Sequence, residues 1–299
     1  MLNRIVIITP AIPRKGLHTE SFKHLYNSLN GYKEKNIEII HIINIDSPEK
    51  ILKLGYNLEE TIDNFNKIIP EDVKKIYLHG YKPCFSEAYV RIWIEAEKYM
   101  NDKSVLLFFE DDWNIIKDFN YIKILFSIKK NNLNNNFLLT SHHYINNAPH
   151  IMSYELYKLY VKFLKSHNFT SVDPDYIRGN FYKYELSKYK VKCNLIRLLF
   201  KKEDLDNLNK YYYKTFKRIK IKEITQFKIL NFNTNYYDAL LEKNKLKYIS
   251  NYKNESIESN LELNIYTPVI NISYDIGRKW RDNINLNKWE KDDNNSKTY

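Results

Sequence analysis

The chain has 299 residues and a formal net charge of +11, with 43% hydrophobic and 28% charged residues, an ordinary globular balance that excludes disorder over most of its length. The positive charge suits nucleic acid, an anionic membrane surface or anionic small molecules without choosing among them. Cys84 and Cys193 have no CxxC spacing and no nearby histidine cluster, which argues against a zinc centre or a disulfide framework and suits a reducing compartment.

Met1 to Arg4 runs straight into Ile5-Val6-Ile7-Ile8, too short an apolar run for a signal peptide and without a small-residue cleavage site. No apolar stretch approaches the ~18 residues of a membrane span, so the expectation is a soluble, cytoplasmic protein. Ile5 to Ile8 is a continuous β-branched run, the pattern of a parallel strand buried on both faces. Thr9-Pro10-Ala11-Ile12-Pro13 should be a loop, because its prolines interrupt regular pairing. A helix is expected from Ser21 to Tyr32, with Phe22, Leu25 and Leu29 on one face, then a second strand from Ile37 to Ile45 ending at Asp46-Ser47-Pro48. A helix over Leu58 to Ile68 leads to a short strand, Lys75 to Leu78, and Gly80 to Phe85 forms a loop. Glu87 to Met100 reads as a helix, and Ser104 to Phe109 as a third buried strand. Strands and helices alternating at this spacing indicate βαβ units, hence a mostly parallel, Rossmann-like sheet whose ligands lie beyond the carboxyl ends of the strands.

Further along, a helix is expected over Phe119 to Lys130, a polar loop over Asn131 to Asn136, a strand over Phe137 to Ser141 and a periodic helix over Ser153 to Ser166. Residues 183–222 are dense in Lys and Arg, with Leu195, Ile196, Leu198, Leu199 and Phe200 interleaved, and read as an inserted basic helical segment. Short mixed elements follow from Ile224, and Glu290 to Tyr299 looks like a frayed polar tail. The organisation expected is a nucleotide-binding half over 1–120, an acceptor-side half over 121–182, the basic insertion over 183–222, and a C-terminal segment over 223–299 that closes the site.

The most informative feature is Glu110-Asp111-Asp112-Trp113, directly after six apolar residues. Consecutive carboxylates at the end of a buried strand repel one another unless something positive binds. A divalent cation such as Mg²⁺ or Mn²⁺ removes that cost and shares its coordination with substrate phosphates. Strand alternation sends Glu110 and Asp112 to one side and Asp111 to the other, so at most two face one ion. The plainer alternative is a solvated turn in which an aspartate caps the next helix.

Leu107-Phe108-Phe109-Glu110-Asp111-Asp112-Trp113 resembles the DxD-type motif of GT-A glycosyltransferases, in the form of a hydrophobic strand followed by EDDW found in some family-2-like viral and bacterial enzymes. Glu87, Ala88, Arg91 and Trp93 on the preceding helix fit the same resemblance, as does Asp275-Ile276-Gly277-Arg278-Lys279-Trp280, which is similar to a motif closing the active site in that group. The likeness covers about 1–120 and, loosely, 265–290; nothing in it matches 183–222. It implies a GT-A fold and a UDP- or GDP-sugar donor, with a glycan or protein as acceptor. It further implies that Asp112 coordinates Mn²⁺ or Mg²⁺ bridging the donor's phosphates, and that Asp111 or Glu110 contacts ribose. The loop from Thr9 to Arg14, Thr9 and Pro10 included, would lie against the nucleoside, Asp46 would meet the base and Arg91 would approach the phosphates. Asp275 would be a further metal ligand, although the usual residue in that role is His, or it would hold the C-terminal segment in place. For the loop positions, ordinary turn chemistry is the alternative, and for Arg91 an exposed helical arginine.

Inverting transfer needs a carboxylate base for the acceptor hydroxyl. Ser171-Val172-Asp173-Pro174-Asp175-Tyr176 carries the Asp-then-Pro signal of a helix start. Asp173 and Asp175 are the candidate bases, since many inverting GT-A enzymes place theirs at such a helix N-terminus; the alternative is that Asp173 only caps the helix. His142, His143, Trp113, Tyr144 and Trp280 are open to acceptor-side roles or to plain rim and core positions. The basic segment is compatible with peripheral membrane contact, a homo-oligomer interface or a solvated hairpin. Two other functions compete. A sugar-nucleotide nucleotidyltransferase would carry a glycine-rich phosphate loop after the first strand, and the first glycine here is Gly16. A nucleic-acid-binding protein would leave the acidic cluster unexplained, and the basic residues form no known module.

Overall fold

A computed structural model of the chain describes residues 2–14, 16–47, 49–80, 85–115, 119–130, 136–141, 148–167, 169, 174–185, 190–198, 227–232, 262–268 and 272–277. The expectations for His142, His143, Tyr144, Asp173, Arg278, Trp280, the tail from Glu290 and residues 199–222 lie outside these.

The amino-terminal third follows the buried apolar runs. It comprises β1 (Arg4–Ala11), α1 (Leu17–Ser28), β2 (Glu38–Ile45), α2 (Glu49–Lys53), α3 (Leu58–Ile68), β3 (Lys74–Leu78), α4 (Phe85–Ala96) and β4 (Ser104–Phe108). The rest comprises β5 (Trp113–Ile115), α5 (Tyr121–Lys130), β6 (Phe137–Thr140), β7 (His150–Ser153), α6 (Tyr154–Ser166), α7 (Pro174–Tyr184), β8 (Lys190–Leu198), β9 (Phe227–Phe232), β10 (Glu262–Pro268) and β11 (Ser273–Asp275).

One nine-stranded sheet has the order β3-β2-β1-β4-β7-β6-β10-β8-β9, and β5 and β11 form a separate two-stranded sheet. β3, β2, β1 and β4 run parallel, as do β6, β10 and β8; β7 is antiparallel to both β4 and β6, and β9 to β8. The expected α/β architecture, a mostly parallel sheet flanked by helices, holds. Alternation along the strands splits the core into two layers. Ile5, Ile7, Ile43, Val105 and Leu107 pack with Phe22, Leu25, Phe65 and Leu125, which come from α1, α3 and α5. Val6, Ile8, Ile42, Leu106 and Phe108 pack with Trp93, Tyr157, Tyr160 and Phe181, which come from α4, α6 and α7.

Three expectations change. β1 continues through Pro10 to Ala11, because β4 stops pairing at Phe108 opposite Ile8 while β2 pairs on to Ile45. Pro10 therefore sits where the strand has a single neighbour, a position that tolerates its missing N–H. α1 begins at Leu17 rather than Ser21: Gly16 adopts a left-handed φ of 80°, which turns the chain into the helix four residues early. Finally, the basic segment is not simply helical. Lys190–Leu198 is a strand, parallel to β10, and its period-two alternation of Lys190, Lys192 and Asn194 with Val191, Cys193 and Leu195 is a strand signature.

Candidate functional site

The carboxyl ends of β1, β2, β3 and β4 lie along one edge of the sheet, and the chemistry-bearing residues gather in the loops that leave them. After β4, Phe109 N still donates to Ile8 O at 3.0 Å, and Trp113 N donates to Glu110 O at 3.3 Å, closing a turn over Glu110 to Trp113. In a turn the alternating sides of a strand no longer apply. The expectation that Asp111 and Asp112 point apart is therefore corrected: both meet the same cation. Arg14 Nη1 lies 2.7 Å from Asp112 Oδ2, and Nη2 lies 3.6 Å from Asp111 Oδ1. Asp111 Oδ2 also accepts from Ile12 N at 3.2 Å and from His18 Nε2 at 2.9 Å. All are buried: Asp111 is 2% exposed, Asp112 5% and Arg14 8%. Burial works against the guanidinium charge, but Asp111, Asp112 and Glu110 together outweigh it, and the Arg14 pKa rises above its ordinary value. Glu110 is half-buried and accepts from Trp113 Nε1 at 2.8 Å.

The turn is clamped from two directions. From α1, Ser21 Oγ donates to Trp113 O at 2.6 Å and His24 Nδ1 to Ile115 O at 2.8 Å, while Asn114 Nδ2 donates to Glu20 at 2.5 Å. From the C-terminal side, β11 pairs antiparallel with β5 and sets Asp275 opposite Trp113. Ile276 N and Gly277 N both donate to Asp112 O, at 2.8 and 3.3 Å. Gly277 is pressed so closely on Asp112 that a Cβ would overlap its carboxylate. The C-terminal motif and the acidic turn, more than 150 residues apart in the chain, are thus one assembly.

One residue along β1, a second cluster forms. Ala11 O accepts from Asp46 N at 3.0 Å, so Asp46 leaves β2 beside the residue that precedes Ile12. Asp46 is buried and accepts from Asn44 Nδ2 at 2.8 Å; Arg91 Nη1 donates to Asn44 Oδ1 at 2.6 Å and lies 4.0 Å from Asp46 Oδ1. The Arg91 guanidinium rests on Gly80, where a Cβ would come within 2.7 Å of Nη2. Its side chain keeps 30% of its surface exposed.

Of the other expected site residues, Pro10 is buried opposite Asn44, and Thr9 is fully buried. The Thr9 hydroxyl lies 2.8 Å from His41 Nε2, and His41 Nδ1 lies 2.8 Å from Tyr26 OH. The Thr9 side chain therefore serves the core and not the edge. Burial holds His41 at a pKa of about 3, so it is neutral. Asp175 lies in the first turn of α7, which starts at Pro174 as the Asp-Pro signal indicated.

The residues do not fit a divalent ion as they are arranged. Among the described residues no group of three His, Cys, Asp or Glu is disposed to hold one. The carboxylate oxygen of Asp112 expected to ligate it is taken by Arg14. At an effective dielectric of about 20, an ion of charge +2 held about 4 Å from a guanidinium is repelled by about 8 kcal/mol. The positive partner that the acidic run requires is already within the chain. Arg14 lies in the loop expected from the sequence but meets the acidic turn, and no local sequence pattern marks His18 or Asn44 as members of the two clusters. Gly277 carried a signal, since only 6 glycines occur in the chain and this one lies inside the motif from Asp275 to Trp280.

No family model matches the chain, and no curated protein matches it. Among solved structures it is similar to mouse xyloside xylosyltransferase 1 (9% identity, TM-score 0.37, covering 78% of this chain and 98% of that one). It is also similar to the 4-diphosphocytidyl-2C-methyl-D-erythritol synthase of Anaerococcus prevotii (16%, TM-score 0.35, 71% and 99%). A third likeness is to S. aureus TarS (12%, TM-score 0.32), where the match covers 46% of this chain and 21% of TarS.

Proposed function

We propose that the chain is a glycosyltransferase that takes a sugar from a nucleoside-diphosphate donor and passes it to a hydroxyl of a glycan or protein acceptor. The observation that supports this most is the pairing of two polar clusters at the carboxyl edge of parallel strands, one residue apart along β1. Asp46 is bonded to Ala11, and Asp111 to Ile12. This edge is where open α/β sheets bind nucleotides.

In this reading Arg91 is the donor's first polar contact. Among the described residues its guanidinium makes one hydrogen bond, through Nη1, so its remaining donors can meet a base carbonyl or a phosphate oxygen. Asn44 and Asp46 fix its position. The turn from Glu110 to Trp113 faces the ribose and the sugar. A carboxylate of Asp173 or Asp175, at the start of α7, takes the proton of the acceptor hydroxyl as its oxygen bonds to the anomeric carbon. The bond from that carbon to the diphosphate breaks, and the diphosphate leaves with the electron pair, inverting the centre. Among the described residues no helix is long and apolar enough to cross a membrane.

The test is calorimetric titration with a panel of UDP- and GDP-sugars, alongside donor hydrolysis, in buffers with Mn²⁺ and with EDTA. Binding of at least one donor is expected, weakened about tenfold or more in Arg91→Ala, equivalent to about 1.4 kcal/mol. The reading fails if no donor binds, or if Arg91→Ala and Asp46→Asn bind as the wild type does. Salt-sensitive nucleic-acid binding in place of donor binding would favour the competing class.

A further inference from the structure

We propose that Arg14 is the built-in cation of the acidic turn, standing where a divalent metal ion would otherwise stand, so that this site works without a metal. The inference rests on the donor-binding reading only for the identity of the ligand. The charge assignment itself rests on the geometry.

Three observations carry it. The guanidinium bridges both aspartates, at 2.7 Å to Asp112 and 3.6 Å to Asp111. Its charge is held in place by the chain around it: Ile12 N bonds Asp111, and His18 Nε2 lies within 3.0 Å of both Ile12 O and Asp111 Oδ2, so the loop carrying Arg14 is fastened at both ends to the turn it neutralises. The opposite side of Asp112 is closed by Gly277, whose backbone leaves no room for even a methyl group against the carboxylate. A metal ion on Asp112 would need both Arg14 and the segment at Gly277 to withdraw. The wild-type turn already has its positive partner, and the ordinary reason for an acidic run to recruit Mg²⁺ or Mn²⁺ is removed.

The two arms of the test answer different questions. In the first, Mn²⁺ is titrated into the protein alone and free Mn²⁺ is followed by electron paramagnetic resonance. Wild type is expected to take up no stoichiometric ion. Arg14→Gln, which leaves two buried carboxylates without their cation, is expected to bind Mn²⁺ about tenfold or more tightly than wild type. One tight ion per wild-type chain, lost in Asp112→Asn, overturns the proposal, whether or not Arg14→Gln folds. In the second arm, UDP and GDP are titrated calorimetrically in EDTA and in Mn²⁺. Affinities within about threefold of each other support the proposal, and a gain of about tenfold in Mn²⁺ that vanishes in Asp112→Asn overturns it. If neither nucleotide binds in either buffer, the donor-binding reading fails, and the Mn²⁺ titration still decides the charge assignment.

Discussion

Replacing Arg14 by Met removes the guanidinium and keeps most of the side chain's volume, so the change in stability reports the charge. At an effective dielectric of about 20, the separations of 2.7 and 3.6 Å correspond to gross attractions of about 6 and about 5 kcal/mol. Most of that is offset, because the guanidinium of the folded protein has itself been taken out of water. What the substitution leaves is two carboxylates, 2% and 5% exposed, without their shared cation. Breaking a buried pair in this way costs about 3–5 kcal/mol. A typical domain has only about 5–15 kcal/mol in total, so Arg14→Met should give up a large share of the protein's stability. Urea denaturation, followed by far-ultraviolet circular dichroism and tryptophan fluorescence, measures the loss directly. Asp112→Asn should cost less, since Asp111 still meets Arg14. The double variant Arg14→Met with Asp112→Asn should lose about 1–2 kcal/mol less than the sum of the single losses, because one stranded carboxylate is gone. A loss below about 1 kcal/mol in Arg14→Met, or strict additivity in the cycle, would show that the ion pair does not hold the turn.

Other substitutions probe the rest of the edge. Gly80→Ala pushes the Arg91 guanidinium off its support and should weaken donor binding about tenfold while changing stability by less than about 1 kcal/mol, read by calorimetry and urea titration on the same protein. Gly277→Ala forces β11 away from Asp112; a loss of about 1–3 kcal/mol is expected, and an unchanged midpoint would mean that this close approach is not maintained in solution. Neutralising the proposed base, Asp173→Asn or Asp175→Asn, should lower turnover about 10²–10⁴-fold with donor affinity unchanged; if both variants keep full activity, the base lies elsewhere. His41 makes the protein acid-sensitive in a defined direction. Its folded pKa of about 3 lies below the unfolded value of 6.5, so the unfolded state binds the extra proton between those limits. The His41 contribution is complete above pH 6.5 and is lost as pH falls toward 3, by up to about 1.4 kcal/mol per pH unit. His41→Gln should flatten the fall between pH 6 and 4, and an unchanged slope would contradict a buried neutral imidazole.

The strands that sequence alone located were those whose physics is local. Glu38–Ile45 and Ser104–Phe108 lie within a residue of their expected bounds because both faces are buried and the apolar run is continuous. β7 and β11, of 4 and 3 residues, are too short for any periodicity to show, and they exist because neighbours pair with them. The strand Lys190–Leu198 differs: its period-two alternation is local, but its lysine density is equally that of a charged helix face.

The site divides along the same line. The acidic run was visible because three carboxylates after an apolar strand break a local rule, and the inference that something positive must stand beside them was sound. The identity of that positive group was not local. Arg14 and Asp112 are 98 residues apart, and they meet only because β1 and β4 are parallel neighbours, so that the loops leaving their carboxyl ends emerge side by side. No spacing rule encodes that contact. Once the β1–β4 pairing is known, the candidates shrink to the few cations in the loop after β1, and Arg14, between Pro13 and Gly16, lies within reach of the turn. A charge pattern in one loop of a parallel sheet is therefore best interpreted against the loop of the adjacent strand, before a partner from outside the chain is invoked.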